Sequence, residues 1–400
     1  MLLVAGVQFV NIVDFMMVTP LGPDFARALG IPISQLGLVT GSYTATAAVS
    51  GVVGAFFLDR FDRRPALALA LLGLVVGTAA GGFATGLGSL VGARMLAGAF
   101  GGPATSLSIS IVADTVPAER RGAAMGLAMG AFSAAAVLGV PAGLELARLG
   151  GWRLPFFVLA TLGAVVAAGT FVALPAMRGH IVAHTPGDGR ARLRGLLACV
   201  PVRLQLLASG TAMMASFLVI PNLSAYFQFN LHYPRQQLGL LFVVGGLMSF
   251  VGMRISGMLV DRIGSATTAV LATVALTAVL LVGFVRVVPG LPVLVIFVGF
   301  MVSQAFRNVA VSTLATRVPL AHERASFQSI QSAVQHLSSA TGAVVSTWLL
   351  AEGADGALVG VPRLAGASIV LGLWVPMLLK LVEARLRRRE AAAEGASAAG

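Results

Sequence analysis

The chain is poor in charge. Only 10% of its 400 residues are Asp, Glu, Lys or Arg, against about 25% in a soluble domain. With 57% of residues apolar and a mean hydropathy of +0.92, it cannot cover its surface with polar groups in water. It has one cysteine, Cys199, which excludes an internal disulfide and a multi-cysteine metal site. Its five histidines are scattered. The phosphate loop G-x-x-x-x-G-K-[ST], the zinc motif H-E-x-x-H and the G-x-S-x-G nucleophile elbow do not occur. These absences argue against an ATP-driven pump, a metalloenzyme and a serine hydrolase. No enzyme activity, no metal and no cofactor is expected. The first apolar stretch has no basic n-region or small-residue cleavage site, so it reads as a transmembrane helix rather than a signal peptide.

What the chain does have is a series of apolar runs about 20 residues long, the length of helix that crosses a bilayer. Lipid tolerates only helices and closed barrels, and these runs do not alternate like barrel strands. Twelve spans are read, at about 2–22, 35–57, 66–84, 88–112, 123–146, 154–176, 204–228, 236–258, 267–288, 291–314, 325–351 and 364–384. The expected fold is an all-α integral membrane protein of twelve transmembrane helices in two six-helix bundles. The bundles cover 1–176 and 204–384, joined by a basic, polar linker at 177–203 and followed by a tail at 385–400. The net charge of +12 would suit a nucleic-acid partner, but the charges sit between spans. Loops after even-numbered spans, with the tail and Lys380 just before it, hold 18 Lys or Arg, and loops after odd-numbered spans hold six. By the positive-inside rule both termini are expected in the cytoplasm of a bacterial-type inner membrane.

The two halves repeat. Asp59-Arg60 follows span 2 and Asp261-Arg262 follows span 8, 202 residues later. Gln35-Leu36-Gly37-Leu38 matches Gln237-Leu238-Gly239-Leu240, and Val116-Pro117 matches Val318-Pro319, at the same offset. Two parallel six-helix repeats are a transporter plan.

On these residues the chain resembles the major facilitator superfamily over its whole length. The loop Ala55 to Asp59-Arg60-Phe61-Asp62-Arg63-Arg64 is similar to that family's G-x-x-x-D-R-x-G-R-R motif, with Ala55 and Asp62 in place of its glycines. The copy from Gly257 through Asp261, Arg262 and Gly264 keeps both glycines and lacks the trailing arginines. The resemblance implies a gating latch at Asp59, Arg60, Arg63 and Arg64, with Asp114 as the acid that an arginine pairs with and Asp261-Arg262 as a weaker echo. Arg94 to Gly102 resembles the R-x-x-x-G-x-x-G element of proton-coupled members. Gly139, Pro141 and Gly143 resemble the G-P-x-x-G-G motif of exporters. Gly151-Trp152-Arg153-Leu154-Pro155-Phe156-Phe157, Asp14-Phe15 and Pro20-Leu21-Gly22-Pro23 fit the same drug and metabolite:proton antiporter (arabinose-efflux-like) branch. The resemblance also implies that spans 2 and 11, and spans 5 and 8, pack across the two halves, with Gly122, Gly126, Gly130 and the glycines of span 8 as close-approach sites.

A charge in mid-membrane costs at least a few kcal/mol, so each needs a reason. Asp14 lies ~12 Å from the outer end of span 1 and Arg94 ~9 Å from that of span 4, at 1.5 Å per residue. At such similar depth they are expected to pair. An Asp beside an Arg stays ionised, and desolvation or loss of the partner favours its protonated form; Asp14 is therefore the candidate proton site and Arg94 its tuner. A static ion pair is the competing reading. Polar residues on shared helix faces supply the candidate substrate cavity: Gln8 and Asn11 on span 1, Asn222 and Tyr226 on span 7, Gln304, Arg307 and Asn308 on span 10, and Gln331 and Gln335 on span 11. Arg307 has no repeat counterpart, since position 105 is Thr105, and suits an anionic group. His336 is a candidate second proton site or a hydrogen-bonded structural residue. Arg254 is read as snorkelling.

The expected function is proton-coupled efflux of small amphiphilic molecules, drugs or metabolites, by alternating access. The proton gradient is its energy source. Its partners are a small-molecule substrate, protons and the lipid bilayer, with no nucleic acid, and the chain acts as a monomer. A sugar or organic-anion uniporter or symporter, and a channel-like pore, remain as alternatives.

Overall fold

The computed structural model describes residues 2–57, 61–115, 131, 134–175, 177, 195–319, 324–353 and 355–398. Its main helices are α1 (Leu2–Leu29), α2 (Leu36–Phe57), α3 (Arg63–Gly82), α4 (Leu87–Thr115), α5 (Val140–Gly150), α6 (Leu154–Ala173), α7 (Val200–Val219), α8 (Leu238–Ile263), α9 (Ser265–Leu280), α10 (Val293–Arg317), α11 (Arg324–Leu349) and α12 (Val361–Ala398). Ten helical segments among the described residues are long and apolar enough to cross a membrane. The other two positions are α5 and α11. A π-helical turn, Ala135–Gly139, leads into α5, while most of the preceding part of that expected span, 123–130, lies outside the described residues. α11 is long enough but rich in Ser and Gln. Leu69, Val76, Val165, Val172, Leu240, Val274 and Trp348 are exposed, an apolar outer surface suited to lipid rather than water.

The helix boundaries have local causes. Pro155 and Pro201 open α6 and α7 at positions where no backbone N–H is needed. Asp62 caps α3, its carboxylate accepting from the Arg64 N–H at 3.1 Å. Gly151 (φ 77°) ends α5 and Gly264 (φ 86°) ends α8, in a left-handed conformation that favours glycine.

Helix neighbours obey the repeat. α4 lies against α1, α2 and α3; α3 also lies against α6, and α1 against α5 and α6. Six helices later, α10 lies against α7, α8 and α9; α9 also lies against α12, and α7 against α11 and α12. The halves meet along two seams, α2 with α11 and α5 with α8, and each seam is the pseudo-twofold image of the other. The α2–α11 seam is close: a Cβ on Gly37 would lie 2.0 Å from the Ala343 carbonyl oxygen. In the α5–α8 seam, Gly246 approaches Ala136 and Val137. Gly245 and Gly252 instead face Phe297 and Val302 of their own half, and Gly122, Gly126 and Gly130 lie outside the described residues.

The halves are also joined at the end that carries the α1–α2, α7–α8 and α11–α12 loops. Arg235 forks onto Asp24, with Nε 2.9 Å from both carboxylate oxygens. Arg27 sits 4.6 Å over the Phe229 ring, and the Ser224 hydroxyl donates to the Pro20 carbonyl at 3.0 Å. A two-residue hairpin, β1 (Ala351–Glu352) with β2 (Leu358–Val359), projects Glu352, which accepts from the Ile33 N–H at 2.7 Å. Asn230 holds the hairpin by bonding both the N–H and the C=O of Leu358, each at 2.9 Å.

Candidate functional site

Four helices of the first half converge on one buried carboxylate. Asp14 of α1 is 0% exposed and Arg94 of α4 is 1% exposed. Arg94 Nη1 donates to Asp14 Oδ1 at 3.0 Å and Oδ2 at 2.9 Å, and its Nη2 to the Asp14 carbonyl at 3.2 Å. Thr78 of α3 donates to Oδ1 at 2.6 Å, with the Leu74 carbonyl at 2.9 Å as its other acceptor. A hydroxyl has one hydrogen, and the charged acceptor is the nearer. The fourth helix brings Tyr43, whose ring lies 4.7 Å from the Arg94 guanidinium, a cation–π contact.

The network continues. The Tyr43 hydroxyl donates to Asn11 Oδ1 at 2.7 Å, and Asn11 Nδ2 donates to the Gly101 carbonyl at 3.1 Å and Thr105 Oγ1 at 2.7 Å. Gly101 is needed for this approach, since a Cβ there would lie 2.3 Å from the Tyr43 hydroxyl. Gly139 packs α5 onto α1 beside the site, where a Cβ would meet Val13 at 2.3 Å; Gly143 faces Met17 at an ordinary 3.6 Å, and Pro141 is half-buried at the start of α5. Tyr43 and Thr78 are the members of the site that the sequence reading missed.

The second half is built differently. Arg307 is 0% exposed. Its Nη2, with two hydrogens, faces three acceptors: the Ala212 carbonyl at 3.2 Å, Ser216 Oγ at 2.7 Å and Gln304 Oε1. Asn222 donates to Ser346 of α11 at 3.1 Å. Tyr226 is turned away from these residues: its hydroxyl donates to the Gly283 carbonyl at 2.6 Å and its ring stacks on Phe284, so it packs the π turn Tyr226–Asn230, beyond α7, against the segment following α9. Gln8 and Gln331 are buried, and their Oε1 atoms have no partner among the described residues. Asn308, Gln335 and His336 are half-buried and Gln328 is exposed. Arg254 is exposed and lies 5.6 Å from the Phe250 ring.

The α2–α3 loop is described in part. Asp59, Arg60 and the Asp114 side chain lie outside the described residues. Asp62 also accepts from the Met177 N–H at 3.0 Å, and Arg64 Nη1 donates to the Leu174 carbonyl at 3.3 Å. These bonds tie the loop to the end of α6. Arg63 is buried. Asp261 and Arg262 are exposed. At α9 the capping role passes to Glu383 of α12, which accepts from the Ala266 N–H at 2.9 Å. In the α5–α6 corner, Trp152 is buried between Phe25 and Phe156, and Arg153 donates to the Ala84 carbonyl at 3.1 Å.

Comparison with known proteins agrees with this architecture. The chloramphenicol resistance protein of Streptomyces lividans is 28% identical over 253 residues, 62% of this chain and 62% of that protein. The D-galactonate transporter of Escherichia coli O6:H1 is 31% identical over 137 residues, 34% of this chain and 32% of the transporter. The aligned region thus spans less than two thirds of either relative. Among solved structures, a D-xylose-proton symporter superposes with a TM-score of 0.75 at 16% identity, covering 94% of this chain and 96% of the symporter. An inward-facing, occupied bacterial homologue of the human lysosomal transporter Spinster superposes with a TM-score of 0.74 at 16% identity, covering 96% of both. These neighbours share the all-α, two-half membrane fold. The Major Facilitator Superfamily profile matches twice, at residues 4–204 and 205–399; the chain therefore belongs to this superfamily of membrane transporters, proteins that need no cofactor and are not enzymes.

Proposed function

We propose that this transporter is a proton-coupled exporter of small amphiphilic molecules, with Asp14 carrying the proton and Arg94 as its partner. The observation that carries the reading is a carboxylate at 0% exposure held by one arginine and one hydroxyl at the junction of four helices. While Asp14 is ionised, the pair is neutral and pins α1 to α4. A proton on Asp14 removes the countercharge of Arg94. The guanidinium then rests on the Tyr43 ring and the Asp14 carbonyl. Tyr43 belongs to α2, and α2 forms the seam with α11, so a change at the carboxylate reaches the surface on which the halves move.

Efflux of drug-like cargo is supported by the similarity to a chloramphenicol resistance protein, and sugar or organic acid cargo by the similarity to a D-galactonate transporter. The 18 to 6 distribution of basic residues supports cytoplasmic termini in a bacterial inner membrane, and we take the working unit to be a monomer of two bundles. Asp59, Arg63 and Asp114 are assigned to a latch at the cytoplasmic face. Gln8, Asn222, Gln304, Asn308, Gln331 and Gln335 are assigned to the cargo path. The test is transport in reconstituted vesicles with an imposed pH gradient, using chloramphenicol and a panel of small amphiphiles. Asp14→Asn should abolish gradient-driven accumulation while leaving downhill exchange. Full gradient-driven transport by Asp14→Asn would make the ion pair purely structural.

A further inference from the structure

The two halves differ in charge balance at their centres. In the first half Arg94 faces Asp14. In the second, Arg307 is equally buried, and its neighbours are a carbonyl, a hydroxyl and an amide, all neutral. Among the described residues, Nε of both arginines lacks a hydrogen-bond partner, and Arg307 alone also has a buried Nη1 without one. The repeat explains the difference. Adding the 202-residue offset to Asp14 gives Ser216, the residue that meets Arg307. Where the first half sets a carboxylate against an arginine, the second sets a hydroxyl.

The acids of the second half whose side chains are described lie elsewhere. Asp261 is near the end of α8, Glu352 and Asp355 are in and beside the hairpin, and Glu383 caps α9. An unpaired cation at this depth is costly and calls for an anion. Gly372 of α12 lies beside Nη1: a Cβ on it would come to 3.5 Å. Gln304 is buried and Asn308 half-buried, one turn apart on the same face of α10.

We propose that Arg307 is an anion-binding site that accepts an organic carboxylate carried by the cargo, with Ser216 and Gln304 positioning the guanidinium. The carboxylate accepts from Nη1 and supplies the negative charge that Asp14 supplies in the first half. This deepens the transporter reading and rests on it.

Binding is measured on the purified full chain in detergent at neutral pH without any gradient, so a failure of proton coupling leaves this result untouched. The probes are sodium benzoate, its neutral isostere benzamide, and sodium chloride. Affinities come from the rise of the unfolding midpoint with probe concentration. Wild type should bind benzoate at least about tenfold more tightly than benzamide or chloride, the ratio expected of one charge-assisted hydrogen bond. Arg307→Gln should lose that preference. Ser216→Asp, which places a carboxylate at the position matching Asp14, should unfold at a higher temperature without ligand and also lose the preference. It carries the test if Arg307→Gln does not fold. No benzoate preference in wild type, chloride binding as tightly as benzoate, or an unchanged preference in Ser216→Asp would overturn the assignment.

Discussion

Neutralising one member of the Asp14–Arg94 pair should harm the protein more than neutralising both. Asp14→Asn leaves a guanidinium at 1% exposure with a backbone carbonyl, an aromatic face and an amide. Arg94→Gln leaves a carboxylate at 0% exposure with the Thr78 hydroxyl and an amide. Breaking a buried pair from one side costs about 3–5 kcal/mol, because the remaining charge stays desolvated. The double variant leaves two neutral amides where Arg94 made three hydrogen bonds to residue 14. At a net ~0.5–1.5 kcal/mol per hydrogen bond, with the two amides recovering at least one, its cost is about 1–3 kcal/mol. The single costs sum to roughly 6–10 kcal/mol, so the coupling is at least ~3 kcal/mol, well above the ~0.5 kcal/mol within which independent sites add. Equilibrium unfolding in mixed dodecyl maltoside and SDS micelles, followed by far-ultraviolet circular dichroism, measures all four corners of the cycle. A double variant as unstable as the summed singles would refute the reasoning: the two charges would then be balanced by something other than each other.

Two further perturbations probe how the halves meet. Gly37→Leu places a side chain where even a Cβ lies 2.0 Å from the Ala343 carbonyl. It should cost the closed α2–α11 seam about 1–3 kcal/mol and lower disulfide cross-linking between cysteines placed at Gly41 and Val344 several-fold; an unchanged yield would place the seam elsewhere. Arg235→Gln removes the fork onto Asp24, a pair 24% and 21% exposed. About 1 kcal/mol is expected for such a pair, so maleimide labelling of a cysteine at buried Ala225 should rise about fivefold, and labelling at the wild-type rate would mean that the fork does not hold this end closed.

Much of the fold is legible because lipid leaves few choices: run length gives spans, and the repeated loops give two halves. The Asp14–Arg94 contact is legible for a related reason, since two opposite charges at one depth in an apolar bundle have few other partners. Thr78 and Tyr43 are not legible. A hydroxyl in an apolar helix satisfies itself on its own backbone, as Thr40, Thr44, Thr46 and Ser50 do here. Only the rotation of α3 about its axis turns Thr78 onto a carboxylate. Tyr226 shows the converse. Helical phase predicts the face of Asn222 and Tyr226 only while the turn stays near 3.6 residues, and this segment passes through a 3-10 turn at Ile220–Asn222 and a π turn at Tyr226–Asn230. The altered winding directs Tyr226 onto Gly283.

The repeat is most informative where it fails. Gly264 adopts φ 86° while its counterpart Asp62 adopts φ −56°. The first copy therefore gives up a turn glycine without strain and gains a capping carboxylate. The same comparison carried along one helix, 105 against 307, reveals only that an arginine has been added. Carried across two helices it reveals that its partner position, 216, lacks the acid found at 14. A missing countercharge is a property of a contact, and it becomes visible only once the contact between α7 and α10 is known.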